Sequence, residues 1–189
     1  MQLSTTPWTS LEIVRLLIAV LTPLTVAGIG WFFSRSLKRF ELIQWSNQKL
    51  IEKRLVIYDS VAPLLNNLLC FYTWVGHWKD ISPADVIKAK RDLDKAFNIY
   101  RYLFDDKVYQ AYRDFFQILF ETYVASGQDA LIRSDILSNS GDRKIHCSYT
   151  WDKTWETRFS TRINEEAETI QNGYYELMEL LRQSLGVHK

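Results

Sequence analysis

The first forty residues divide into a long apolar run and a basic end. From Leu16 to Phe33 the chain carries 18 residues without a charge. A helix of about 20 apolar residues spans the hydrocarbon core of a bilayer. The run follows no basic start and is followed by the bulky, basic "WFFSRSLKRF", which is not the pattern of a cleaved signal peptide. We therefore predict an N-terminal segment with one retained transmembrane helix over residues 1–36, with a buried core helix as the alternative, and a helical bundle over residues 37–189.

The charges on either side of the apolar run differ in number. Arg35, Lys38 and Arg39 follow it closely, whereas Glu12 and Arg15 precede it. Because Lys and Arg concentrate on the cytoplasmic side of membrane helices, we expect residues 37–189 to lie in the cytoplasm and the helix to cross the cell inner membrane. Arg15 then lies at the outer edge, where it either extends to the interface or faces a water-filled axis of a pore.

Small residues follow one stripe of the predicted transmembrane helix. They are spaced by four, four, three and four positions, at Ala19, Pro23, Ala27, Gly30 and Ser34. Lipid does not favour small side chains, but close packing of helices does. The stripe therefore predicts a homo-oligomer in the membrane.

An apolar seam with helical spacing continues the stripe. It consists of Phe40, Ile43, Leu50, Ile57, Val61 and Leu64, and Asn47 and Arg54 fill its two polar positions. A polar residue in such a seam often fixes the register between copies, so Asn47 joins the predicted oligomerisation residues. The pattern predicts one helix from about residue 10 to about residue 60, which Pro63 then interrupts or restarts.

The rest of the chain predicts an all-α bundle. Residues 61–78 are apolar on most faces, which indicates a buried segment, with a second membrane pass as the alternative. Ser82, Pro83 and Asp85 form a helix start. Two helices follow at three-four spacing, the second with Val108, Tyr112, Phe115, Leu119 and Tyr123 on one face and ending at Gly127. A last helix is predicted over about 161–185.

Residues 138–155 lose the helical rhythm. In "IHCSYTW" the residues alternate as in an extended chain, so this segment either pairs as a strand with a second copy or forms a loop whose aromatic residues pack beneath the bundle. Its cations and aromatic residues also make it the candidate binding surface for a protein or RNA partner, with Arg143, Lys144, Tyr149, Trp151 and Trp155.

Composition and motifs exclude several kinds of ligand site and catalytic site. The net charge of the 189 residues is +1, which provides no general positive field for nucleic acid, and the two cysteines form no disulfide framework. We find no nucleophile elbow, no glycine-rich phosphate loop and no metal-ligand spacing. The sequence therefore predicts no cofactor and no metal, and no small-molecule substrate is evident.

The layout also resembles a known family. With its N-terminal span, the basic exit "SRSLKRF" and the central "IYRYLFDDKVYQAYRDFF", the chain is similar to the small single-pass membrane proteins of bacterial antiviral defence, in particular the membrane accessory proteins of type VI-B CRISPR systems. The resemblance implies a HEPN-like cytosolic bundle that assembles into a ring and perturbs the inner membrane during phage infection. Arg182 and His188 are the positions that match the Arg and His of HEPN ribonucleases.

Three functions are consistent with these features. The first is a self-associating protein that forms or gates a pore at the inner membrane in antiviral defence. The second is a membrane-anchored adaptor that recruits a protein or RNA partner through its cytosolic bundle. The third is a HEPN-type ribonuclease that uses Arg182 and His188, so the sequence leaves open whether the chain is an enzyme.

Overall fold

The computed structural model describes residues 10–122, 127–162 and 166–186, apart from the side chains at positions 39 and 42. The chain separates into two compact units, Met1–Lys49 and Leu50–Lys189. The boundary between the transmembrane segment and the bundle, placed after residue 36 from the end of the apolar run, stays a prediction.

The described chain is mostly helical, as the sequence predicts. Its helices are α1 Ser10–Thr73, α2 Pro83–Ile99, α3 Asp106–Leu119, α4 Arg143–His146 and α5 Ala167–Ser184. Three short 3-10 turns cover Trp78–Asp80, Arg101–Leu103 and Lys153–Arg158.

Two small hairpin-like pairings were not predicted. Strand β1, Phe120–Glu121, pairs antiparallel with β2, Leu131–Ile132, and β3, Leu137–Ser138, pairs antiparallel with β4, Gly141–Asp142. The register places Phe120 opposite Ile132 and Leu137 opposite Asp142. The prediction that the second internal helix continues to Gly127 is wrong, because α3 ends at Leu119 and the chain becomes extended there.

The prediction that Pro63 interrupts the first helix is also wrong. Helix α1 continues through this position to Thr73. A proline removes one backbone hydrogen bond from a helix. Here Val61 and Leu65 on either side are buried in the core, and this packing holds the helix continuous across the missing bond.

The core of the second unit lies among the C-terminal part of α1 and helices α2, α3 and α5. Its most buried side chains include Val61, Leu65, Leu68, Phe71, Val86, Leu93, Phe115, Leu119, Ile132, Leu177 and Leu181. One face of the segment 61–78 therefore lies in the core, in agreement with the buried interpretation, whereas Val75 near its end is 49% exposed. Helices α3 and α5 approach closely at Gly173, where a Cβ atom would lie 3.1 Å from Phe115 Cδ2.

The predicted start of α2 is confirmed in detail. Ser82 is the N-cap, and its hydroxyl oxygen accepts a hydrogen bond from the backbone N–H of Asp85 at 3.1 Å. The Asp85 carboxylate in turn accepts the N–H of Ser82 at 3.0 Å, and Pro83 occupies the first turn. This reciprocal arrangement satisfies backbone donors that a helix start leaves free.

Candidate functional site

Helix α1 is the one helix among the described residues that is long and apolar enough to cross a membrane. None of its most apolar 18-residue window is buried. Large apolar side chains are exposed on all sides of this segment, for example Leu17 at 54%, Leu24 at 63% and Phe33 at 68%. An exposed apolar surface of this extent is compatible with the predicted span, which stays a prediction.

The stripe of small residues lies on this part of α1. Ala19, Pro23, Ala27, Gly30 and Ser34 are all exposed, as are Arg15 and Asn47. A Cβ atom added at Gly30 would meet nothing within 4 Å. Within the described chain the stripe therefore faces no other segment, and its role in oligomerisation stays a prediction.

The apolar seam divides into two parts with different surroundings. In the second unit, Ile57 and Val61 are 4% and 1% exposed because they pack into the unit's own core. In the first unit, Phe40 and Ile43 are 65% and 62% exposed. Only the earlier part of the seam, up to Asn47, is therefore available to a second copy.

The polar seam position Arg54 has a structural role inside the second unit. Its Nε atom donates to the carbonyl of Leu103 at 2.6 Å, and its Nη1 atom donates to the carbonyl of Ser184 at 2.6 Å. Ser184 is the last residue of α5, where carbonyl groups lack partners within the helix. The cation therefore joins α1 to the negative end of α5.

The segment 138–155 forms a compact loop, which confirms the second of the two interpretations. Arg143–His146 is a single helical turn, and the chain then bends at residues 148–149 before the 3-10 turn Lys153–Arg158. The phenol of Tyr149 donates to the carbonyl of Ile81 at 3.0 Å. The Trp151 ring packs edge-on against Trp155, with centroids 5.6 Å apart, and lies against the core.

The prediction that Arg143 binds a partner is wrong. Its side chain is 1% exposed, although a charged residue is rarely buried without a carboxylate. Nε donates to the carbonyl of Asp135 at 2.8 Å, and Nη2 donates to the carbonyl of Phe71 at 2.8 Å and to Ser134 Oγ at 3.0 Å. Phe71 belongs to the last turn of α1, so Arg143 caps that helix from a distant part of the chain.

Aromatic rings complete the surroundings of Arg143. Its guanidinium carbon lies 3.8 Å from the Phe71 ring centroid and 3.7 Å from that of Trp74, with Trp78 at 5.6 Å. Such contacts stabilise a desolvated cation. Burial lowers the pKa of Arg143 to about 10. Trp74 has a backbone φ of 59°, in the left-handed region, so the chain accepts local strain where α1 ends.

The other predicted partner-binding residues differ in exposure. Lys144 is exposed and forms an ion pair of 2.7 Å with Glu156. Tyr149, Trp151 and Trp155 are partly buried and contact one another. Two aliphatic residues of the same region are more exposed, Leu137 at 70% and Ile145 at 75%, and neither belongs to the predicted binding surface.

The predicted catalytic pair receives no geometric support. Arg182 lies on α5 and donates from Nη2 to Glu179 at 2.6 Å, one turn earlier in the same helix. His188 lies outside the described residues. The side chain of Arg182 is thus engaged in an ordinary i,i+3 ion pair.

A polar cleft lies between the end of α1, the β3–β4 turn and the first turn of α5. We call it the Arg133 cleft. Its volume is about 210 Å³, and it is lined by Tyr72, Trp74, Arg133, Ser134, Asp135, Ser138, Asn139, Ser140, Ala167 and Ile170. Within the described part of the chain, Arg133 forms no ion pair, and its buried Nε atom has no hydrogen-bond partner.

A second polar network joins α2 to α3. Lys90 donates to Asp94 at 2.6 Å, and the phenol of Tyr112 forms a short hydrogen bond to the same carboxylate. Burial raises the pKa of Tyr112, and the bond to Asp94 adds to the shift. The Tyr112 ring stacks on Phe97 with centroids 4.0 Å apart, so the network lies at a packed helix interface and has a structural role.

Comparisons with protein-family models, with curated proteins and with solved structures found no match. Among the described residues, no group of His, Cys, Asp and Glu side chains is arranged to hold a metal ion. Function is therefore inferred from the exposed apolar surfaces of the described residues.

Sequence reasoning missed the Arg133 cleft because its residues come from three separated segments. The one local signal is the turn "SNSG" at residues 138–141, where Gly141 has a φ of 140°. A serine-rich turn of this kind is common on protein surfaces and does not by itself indicate a ligand. Only the tertiary fold brings Arg133 and Trp74 to it.

Replacement of Tyr149 by Phe tests how the loop is held. We expect a loss of about 1 kcal/mol at pH 8, because the hydrogen bond to the Ile81 carbonyl disappears. Burial raises the pKa of Tyr149 to about 12. The folded wild type keeps this phenol protonated above the pKa of about 10 in the unfolded chain, so its stabilisation is complete below pH 10 and is lost between pH 10 and 12.

The difference in unfolding free energy between wild type and Tyr149→Phe should therefore shrink across that interval. Urea titrations at several pH values measure it. Tyr102→Phe is the control, because Tyr102 is 94% exposed and its replacement should alter neither the stability nor its pH profile. A constant difference across pH 10 to 12 would contradict the expectation.

Proposed function

We propose that this chain is a single-pass protein of the bacterial inner membrane that self-associates through α1 and forms or gates a pore, with residues 37–189 in the cytoplasm. The observation that carries the proposal is the surface of α1 in the first unit. Its apolar side chains and its stripe of small residues are exposed, and none of its most apolar window is buried against another described segment.

The two kinds of surface on α1 favour different neighbours. Leu, Ile and Phe side chains are compatible with lipid tails, but lipid gives no advantage to alanine or glycine. Ala27 and Gly30 allow a second helix to approach its backbone closely. Phe40 and Ile43 extend this surface towards Asn47, where two copies can align their polar side chains. Both features support association between identical chains.

The biological setting in this proposal is antiviral defence. It is supported by the resemblance of layout and of the basic exit to the membrane accessory proteins of type VI-B CRISPR systems. In that setting, assembly of several copies would bring their membrane helices together and open a path for ions. Arg15, at the outer end of the apolar run, would then lie at the mouth of the assembly.

A specific observation favours a second candidate, a membrane-anchored adaptor. Leu137 and Ile145 are 70% and 75% exposed, and both belong to the folded region between β3 and the loop that follows α4. Exposed large aliphatic side chains of this kind are typical of protein-binding surfaces. In the adaptor function, α1 only holds the protein at the membrane.

Replacement of residues 1–36 by an unrelated single-pass anchor separates the two functions. The pore proposal predicts loss of phage resistance and of membrane depolarisation, because the small-residue stripe is gone. The adaptor function predicts that both persist, since any anchor retains the bundle at the membrane. Membrane fractionation and protease protection confirm that the exchanged chain inserts with the same orientation. Full resistance in the exchanged chain would overturn the pore proposal.

A further inference from the structure

We propose that the Arg133 cleft binds a small phosphate-bearing anion. This binding site is separate from α1 and does not depend on the pore proposal. It rests on the charge of the cleft, on its hydrogen-bond donors and on its size.

The first support is an excess of positive charge. Arg133 forms no ion pair within the described residues, and burial of its Nε atom without a partner is unfavourable. Arg143 adds a second guanidinium behind Ser134 and Trp74, and its own Nη1 atom is buried without a partner. Burial raises the pKa of Tyr72, and the positive charges of Arg143 and Arg133 oppose that shift. Asp135 is the one carboxylate among the residues that line the cleft. An anion would compensate the remaining charge.

The second support is the direction of the serine hydroxyl groups. Ser134 Oγ accepts a hydrogen bond from Arg143 Nη2 at 3.0 Å, and Ser138 Oγ accepts one from the backbone N–H of Ser140 at 3.1 Å. Since each oxygen already accepts a bond from the chain, each hydroxyl proton is left to donate. Asn139 and Ser140 add further donors on the same turn.

The start of α5 contributes donors of a different kind. Ala167 and Ile170 line the cleft, and the N-cap residue Glu166 forms no side-chain hydrogen bond to the first turn. Within the described chain, the backbone N–H groups of this 18-residue helix therefore receive no cap from the N-cap side chain at the end that carries a partial positive charge. Together with the guanidinium of Arg133, they favour phosphate oxygens as acceptors.

The third support is the size of the cleft, which limits the class of ligand. Its volume of about 210 Å³ lies below the range of roughly 300–1,000 Å³ that is typical of sites for larger organic ligands. A phosphate group with a short organic substituent fits, whereas a dinucleotide does not. Trp74 forms an aromatic wall whose position is fixed by its contact with Arg143.

Titration calorimetry on the full-length protein in detergent tests the proposal. The probes are inorganic phosphate, glycerol 3-phosphate and glycerol, in a phosphate-free buffer of constant ionic strength. We expect both phosphate compounds to bind the wild type and glycerol not to bind. Arg133→Gln should weaken binding by roughly tenfold or more, because a charge-assisted bond is lost. Arg113→Gln, which removes an exposed arginine of α3, is the matched control and should bind as the wild type does.

A second variant keeps the test decisive if Arg133→Gln does not fold. Ser140→Ala changes an exposed turn residue and should weaken binding by roughly threefold. If glycerol 3-phosphate binds more tightly than inorganic phosphate, the proposal is supported and the ligand is a phosphate ester. If the two bind equally, the proposal is supported and the cleft recognises the phosphate group alone. The proposal is overturned if neither compound binds the wild type at about 10 mM. It is also overturned if a folded Arg133→Gln binds as tightly as the wild type, or, where Arg133→Gln does not fold, if Ser140→Ala binds as tightly as the wild type.

Discussion

Replacement of Arg143 by Ala should lower the free energy of unfolding of the second unit by about 3–4 kcal/mol. The substitution removes the donors to the carbonyls of Phe71 and Asp135, which are 2.8 Å from the guanidinium nitrogens. It also leaves a cavity between the rings of Phe71 and Trp74. The loss is large because typical domains are stable by only about 5–15 kcal/mol.

The neighbouring residue offers a matched control for this experiment. Lys144 is exposed, and both partners of its ion pair with Glu156 are about 40% exposed. Lys144→Ala should therefore cost less than about 1 kcal/mol. Urea unfolding followed by tryptophan fluorescence measures both variants. A loss below about 1 kcal/mol for Arg143→Ala would show that the buried guanidinium contributes no net stability.

The position of Arg143 shows where sequence reasoning reaches its limit. In the sequence, Arg143 and Lys144 are two adjacent cations beside aromatic residues, which is the pattern of a binding surface. The carbonyl of Phe71 and the ring of Trp74 lie about 70 positions earlier, and only tertiary packing brings them to the guanidinium. No local pattern distinguishes the buried cation from its exposed neighbour.

Features that depend on short-range chemistry could be predicted well. Ser82, Pro83 and Asp85 define a helix start through bonds within a single turn, and the structure contains those bonds. The burial of Ile57 and Val61 also follows from the helical spacing of apolar residues. By contrast, the pairing of β1 with β2 joins segments of two residues, which carry too little periodicity to be recognised.

Pro63 illustrates a conflict between local preference and packing. Proline disfavours the interior of a helix, and the sequence alone therefore indicates a break. Burial of Val61, Leu65 and Leu68 around this position stabilises the continuous helix by more than the lost hydrogen bond costs. Pro23, in the apolar run, lies within the same continuous helix.

Replacement of Ala27 and Gly30 together by Leu should abolish self-association in the membrane and, with it, phage resistance. Gly30 has open space around its Cα, so a leucine there disturbs nothing within the chain. Two leucine side chains on the stripe would keep a second helix several ångströms farther away, and the close backbone contact would be lost. The variant should run as a monomer in detergent where the wild type runs as an oligomer. In cells its loss of resistance should approach that of a deletion.

The opposite face of the same helix supplies the control. At about 100° per residue, Thr25 and Gly28 point away from the stripe, and a Cβ atom at Gly28 also meets nothing within 4 Å. Thr25→Leu with Gly28→Leu makes the same kind of change in hydropathy but leaves the stripe intact, so oligomer size and resistance should persist. If the two double variants behave alike, self-association does not depend on the small-residue stripe. The effect would then follow from added side-chain volume on either face of the helix. A monomeric wild type that still protects cells would remove the pore proposal altogether and leave the adaptor function.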